Sequence, residues 1–303
     1  PSQAATQATQ GQPDPEDDLA EHRAAAAYYK QATTRDPNDA EAYFKWGLAL
    51  DKLGEPFRAC EQFQTSIALN PNDAGVYCNW GFTLYSAGEY KAACEKYQAA
   101  TDLVPTYAEA YYFWALALQK LEDYEGVCEA CQMAIRLRPD DDYALYEWGL
   151  ALHKTGNPEA ACEQYAKAAE LNPAVAWVHY AWGDALKDMN EYAKACEKFQ
   201  VAIQLDPNDD AAHSMWGLAL YSLKEYDKAI EHWTAAEEHW PGDQAYNLAC
   251  AYAHKGDDGE VRKWLEFSKE KGMLVDKEHG MADEDLEKYR DEDWFAALWD
   301  DEK

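Results

Sequence analysis

The sequence predicts an all-α solenoid of stacked helix-turn-helix units. Three observations lead there: a tryptophan that returns every 34 residues, a proline with the same step, and columns of small and bulky residues in register with both. Trp46, Trp80, Trp114, Trp148, Trp182 and Trp216 form the first column, followed directly by Gly47, Gly81, Ala115, Gly149, Gly183 and Gly217. Pro37, Pro71, Pro105, Pro139, Pro173, Pro207 and Pro241 form the second. One such unit cannot bury its apolar face alone, so a fixed period of this length implies neighbours that stack.

Residues 1–17, "PSQAATQATQGQPDPED", are rich in Gln, Thr, Pro and acid and are expected to be a disordered tail or linker. Residues 18–39 read as a capping helix, because Ala25, Tyr29 and Ala32 lie one period before Ala59, Phe63 and Ser66. Six units follow at 40–73, 74–107, 108–141, 142–175, 176–209 and 210–241. In the first, Tyr43, Trp46, Gly47 and Leu50 form one helical stripe at i, i+3, i+4, i+7. Gly54-Glu55 breaks that helix, as Gly88-Glu89 and Gly156-Asn157 do later. Ala59, Phe63 and Ser66 mark the inner stripe of a second helix, which Pro71 ends. The Phe63 column continues as Tyr97, Cys131, Tyr165, Phe199 and Trp233, with Cys131 the exception.

After Pro241 the register slips: nine residues separate Pro207 from Trp216, but seven separate Pro241 from Leu248. Residues 242–275 still carry "YNLACAYAHKGD" and a second stripe of Val261, Leu265 and Ser268, so they read as a divergent seventh repeat. Residues 276–303 read as an acidic cap, with Leu286, Tyr289, Phe295 and Leu298 available to cover the last pair; the alternative is an acidic amphipathic segment that reaches a partner. The "WGLAL" found at 46–50, 148–152 and 216–220 is then a packing unit. The six tryptophans are expected in the structural core, each burying about 150–250 Å².

These columns resemble the tetratricopeptide repeat (TPR) family, whose unit is a 34-residue helix-turn-helix. The resemblance spans 40–241 in unbroken register. It implies a right-handed superhelix, and a concave face, lined by first helices, that holds peptides. The matching face here carries Phe44, Phe82, Tyr85, Tyr112, Tyr143, Tyr146, Trp177, Tyr180 and Tyr221. A monomer rarely exposes so much apolar surface without use, so a partner segment with apolar anchors is expected in that groove. The family's carboxylate clamp does not carry over: its positions read Phe44 and Leu48, then Asn79, then Glu109 and Phe113, and only Asn79 fits. An asparagine ladder would repeat Asn79, but Glu147, Ala181 and Met215 follow.

The 57 acidic and 27 basic residues give a net charge of −30, which repels phosphate backbones and argues against nucleic acid. It fits a basic protein partner, a salty habitat or plain solubility. The longest apolar run, "YYFWALAL" at 111–118, is far short of a membrane span. A chain that begins at Pro1 reads as processed or cut. Cys60, Cys94, Cys128, Cys162 and Cys196 recur on the period, too far apart on neighbouring helices for disulfides. They read as small buried hydrophobes in a reducing, cytoplasmic setting, with export after removal of a signal as the other possibility. Cys128-x-x-Cys131 lacks a second ligand pair, and His179 and His213, equivalent in adjacent repeats, lack a third ligand. No catalytic constellation, metal site or cofactor motif emerges. Glu61, Glu95, Glu129, Glu163, Glu197 and Glu231 line the side of the second helices away from Ala59 and its equivalents, as a solvated face or, alternatively, a docking strip for a basic partner. The expected function is a non-enzymatic interaction scaffold or adaptor. The alternatives are a homo-oligomeric assembly protein and the non-catalytic repeat domain of a larger enzyme complex.

Overall fold

The computed structural model describes residues 15–300. The expected tail falls largely outside them, and its last three residues open the first helix, α1 (Pro15–Arg35). There are no strands among the described residues. The chain divides into two compact units, 1–147 and 148–303.

In the first unit α1 packs on α2 (Ala40–Lys52), which pairs with α3 (Pro56–Leu69). The next pairs are α4 (Ala74–Ser86) with α5 (Tyr90–Leu103), then α6 (Ala108–Lys120) with α7 (Tyr124–Leu137). Helix α8 (Asp142–Lys154) crosses the division between the units. The second unit continues with α9 (Pro158–Leu171) and the pairs α10 (Ala176–Asp188) with α11 (Tyr192–Leu205) and α12 (Asp210–Ser222) with α13 (Tyr226–Glu237). It ends with α14 (Ala245–Lys255), α15 (Asp258–Glu270) and short helical turns through 277–299. Helix α1 buries Ala26 and Thr33, one step along from the expected Ala25 and Ala32, which stay half-buried.

Local chemistry explains the punctuation. Asp39, Asp73 and Asp209 cap first helices, each accepting a backbone N–H two or three residues on. The turn inside each hairpin needs one left-handed residue, supplied by Gly54, Gly88 and Gly156. Glu122, Asn190 and Lys224 adopt the same conformation at the equivalent positions, with φ near 60°.

The deepest side chains are not those of the six-membered tryptophan column. Phe63, Tyr97, Tyr165, Phe199 and Trp233, from the second helices, are at most 1% exposed. Each lies on the glycine that follows the repeat tryptophan. A Cβ on Gly47 would meet Phe63 at 2.5 Å, on Gly81 Tyr97 at 2.7 Å, on Gly149 Tyr165 at 2.6 Å, on Gly183 Phe199 at 2.7 Å and on Gly217 Trp233 at 2.5 Å. Where the third repeat has Ala115, its second helix has Cys131 in place of a ring, and both are buried. A side chain gained on one helix is matched by one lost on the other.

The tryptophan column is half-buried and flanks this core; Trp46, Trp80, Trp114, Trp182 and Trp216 pack against the core clusters from outside. Their other face meets the cysteine column of the preceding repeat. Trp80 contacts Cys60, Trp114 Cys94, Trp182 Cys162 and Trp216 Cys196. The outer side is covered by a cation or an imidazole: Lys96 stands 4.2 Å over Trp80, Lys198 3.6 Å over Trp182, and His232 stacks at 3.9 Å on Trp216. Trp80, Trp114, Trp182 and Trp216 are thus seam residues between hairpins, and the glycine beside Trp80, Trp182 and Trp216 admits the core ring.

The register slip near Pro241 has its own solution. Glu237 is buried, and its carboxylate accepts the backbone N–H groups of Gly242 (2.7 Å) and Gln244. A second-helix glutamate thus caps the shortened entry to α14, where α2, α4 and α12 use Asp39, Asp73 and Asp209 from the loop. Beyond α15, Leu286, Tyr289, Phe295 and Leu298 close over Ala249, Cys250, Val261 and Leu265.

Candidate binding face

The face of the first helices that carries the aromatic column is uneven. In the first unit Phe44 is half-buried with its ring 6.0 Å from buried Phe63. Phe82 is 40% exposed and sits edge-on to Phe113 at 5.6 Å. Tyr85 is half-buried against Tyr90, and Tyr112 is half-buried beside Phe113. Tyr143 is 54% exposed, and Tyr146 is half-buried. In the second unit Trp177 is half-buried, Tyr180 leans on Phe199 at 6.1 Å and Tyr221 on Trp233 at 5.6 Å. Phe44, Tyr180 and Tyr221 therefore extend the core with part of the ring, while Phe82 and Tyr143 are the most exposed of the set.

Tyr221 differs from the others. Its hydroxyl donates to Asp285 of the C-terminal segment. Tyr246 donates to Asp283 at 2.7 Å, His254 Nε2 donates to Asp285 at 2.7 Å, and the Cys250 thiol faces Asp283 at 3.8 Å. The donor atoms of Cys250, Asp283 and Asp285 lie within 4.8 Å of one another. Tyrosine and histidine donors occupy these carboxylates, so the network fastens the terminal segment to α12 and α14. Spacing in the sequence does not reveal it, because its members come from three separate segments.

In the first unit the face also holds a carboxylate that sequence reasoning did not single out. Glu147, in the column of Asn79, accepts a hydrogen bond from Gln119 Nε2 at 2.6 Å and is half-buried. Burial pushes its carboxyl up to about 7, while the Gln119 bond and the Lys120 charge pull the other way. The folded pKa thus lies above the ordinary 4.5. Between those values the folded chain holds a proton that the unfolded chain has lost, so stability falls as pH rises through this window. Glu147→Gln is expected to remove that slope and to raise stability at pH 7.5 by up to about 3 kcal/mol. Calorimetry of both proteins from pH 4 to 8 checks this; parallel melting curves across the range would contradict it.

The remaining titratable candidates are structural. Nε2 of His179 donates to the Pro173 carbonyl at 3.3 Å and Nε2 of His213 to the Pro207 carbonyl at 3.2 Å, so each serves its own loop. His213 meets His232 (Nδ1 to Nδ1, 3.1 Å) and not the equivalent His179. All eight cysteines are free. Burial pushes the thiols of Cys94 and Cys196 up to about 11, which makes them poor nucleophiles. Cys131 fills a ring position in the core. Among the described residues no helix is long and apolar enough to cross a membrane.

Consecutive paired helices, five of whose hairpins repeat the same glycine-to-ring contact, define a helical repeat protein. Residues 40–73 and 142–175 match the family profile for the tetratricopeptide repeat, and residues 81–122 and 183–223 match that for the TPR repeat. The chain belongs to the tetratricopeptide repeat family. A comparison with curated protein sequences finds no match. Among solved structures it is similar to YrrB, a TPR protein with an unusual peptide-binding site, at 24% identity and a TM-score of 0.57, over 62% of this chain and 97% of that one. PilF of Pseudomonas aeruginosa is similar at 20% identity and a TM-score of 0.57, over 71% of this chain and 97% of that one. MamA of Desulfovibrio magneticus RS-1 is similar at 23% identity and a TM-score of 0.53, over 56% of this chain and 97% of that one. These likenesses are likenesses of fold.

Proposed function

We propose that this chain is a non-enzymatic scaffold or adaptor that holds a segment of a partner protein against the aromatic face of its first helices. The observation that carries the reading is the row of rings that are packed on one side and open on the other. Phe82 and Tyr143 remain 40% and 54% exposed, and Phe82 packs edge-on against Phe113. A ring fixed by packing loses little entropy on binding, which is the usual property of an interface anchor. YrrB, a protein of similar fold, has a peptide-binding site, which supports a binding role for such repeats. The excess of negative charge favours a partner segment of basic character.

The test uses the full chain as bait. Partners are captured from the native cell, produced separately, and measured against a Phe82→Ala, Tyr85→Ala double variant and against Glu61→Ala with Glu95→Ala on the opposite side. The ring variant is expected to keep its circular dichroism and to bind at least about 30-fold more weakly, as the loss of one or two anchors implies. The glutamate variant is expected to bind normally. Equal affinity for all three proteins would remove the first-helix face from the account.

A further inference from the structure

In the sixth repeat the aromatic columns are interrupted. Ala211 stands where earlier repeats have Tyr143 and Trp177, and Ser214 where they have Tyr112, Tyr146 and Tyr180. The space vacated by those rings is open: a cavity of about 470 Å³ lies there, lined by Ala211, Ser214, Met215, Trp240, Pro241 and Met273 together with Asp210 and Asp243. That volume falls in the range of ligand pockets, about 300–1,000 Å³.

Two features make it more than a packing gap. Its wall carries Trp240, 68% exposed, and Met273, 54% exposed. Trp240 occupies a position that reads Asn70, Val104, Arg138, Asn172 and Asp206 in the preceding units, so the ring belongs to this junction alone. The charged residues of the lining are both acidic, beside the neutral Ser214 and Gln244. Asp210 accepts from His239 at 2.9 Å, and Asp243 accepts from the Gln244 amide at 2.9 Å through one oxygen. An apolar socket bordered by carboxylates is complementary to an apolar side chain next to a cation.

We infer that this cavity is the socket for one large apolar side chain of a partner polypeptide whose adjacent Lys or Arg seats on Asp210 and Asp243. The inference rests on the scaffold reading above and adds the kind of residue pair the partner must offer. Trp240 and Met273 would clasp the apolar group, and the exposed ring and thioether are the adaptable surfaces that such contacts use.

The test pans a displayed library of random dodecapeptides on the full chain, then measures the best synthetic peptide by fluorescence anisotropy. Enriched peptides are expected to share an apolar residue beside Lys or Arg. Ser214→Trp, which fills the socket, Trp240→Ala, which removes its wall, and Asp243→Asn are each expected to weaken binding about tenfold or more. Trp240 is largely exposed, so its variant carries the test if Ser214→Trp does not fold. If peptides bind and lose affinity in Tyr180→Ala but not in Trp240→Ala or Asp243→Asn, the socket is wrong and the scaffold reading stands. If enriched peptides bind equally well to every variant, or none is enriched, both fail.

Discussion

Phe199→Ala is expected to destabilise the second unit by about 3–5 kcal/mol, or about 10 °C in melting temperature. Phe199 is fully buried between Ala195 and Ala219, and its ring lies within 2.7 Å of where a Gly183 side chain would begin. The cavity left by truncation cannot collapse easily, because two helices hold its walls. The more informative result comes from the pair. Gly183→Ala alone forces the ring to move, an overpacking cost of about 1–3 kcal/mol, offset by up to about 1 kcal/mol of helix propensity. Gly183→Ala with Phe199→Cys recreates the Ala115 and Cys131 arrangement of the third repeat. The double variant should be more stable than the sum of the single losses predicts, by about 1 kcal/mol or more. Denaturant melts of the four proteins check this; strict additivity would separate the glycine from the ring.

Removing residues 283–303 is expected to be as damaging. It strips Leu286, Tyr289, Phe295 and Leu298 from Ala249, Cys250, Val261 and Leu265. Four such side chains contribute about 6–12 kcal/mol of gross burial, before the entropy of ordering the segment. It also takes away Asp283 and Asp285, the acceptors of Tyr246 and Tyr221. The truncated chain should bind a hydrophobic dye, and its last helical pair should exchange amide hydrogens quickly, while 15–147 stays protected. An unchanged exchange pattern at 245–270 would show that the terminal segment does not hold the repeat.

The repeats were legible because their determinants are local. A 34-residue period, a proline on the same step and the turn glycines Gly54, Gly88 and Gly156 can all be counted along the chain. The division of labour within the period was not. Sequence reasoning placed the tryptophan column in the core, whereas it is half-buried beside it, and the buried knobs are the rings sixteen positions after the glycines, such as Phe63 after Gly47. A small residue next to a large one looks the same whichever of the two is buried. The Ala115 and Cys131 exceptions were visible as two separate departures, and only contact across the hairpin joins them. On the binding face, the rings of Phe44, Tyr180 and Tyr221 lean on core rings, so the strip is less open than a helical wheel implies. The cavity beside Trp240 depends on a shortened loop, a missing ring and Met273 from a later segment, a combination with no periodic signature.

The claim that the first-helix face does the binding has a direct test. A photoreactive benzoylphenylalanine is placed at Phe82 or Tyr143 on that face, and at Glu61 or Glu197 on the second helices, and the cell's own partners are cross-linked by light. Covalent adducts to a partner from positions 82 and 143, with none from 61 and 197, are the predicted result. Adducts confined to 61 and 197 would place the partner on the other side of the repeats and contradict it.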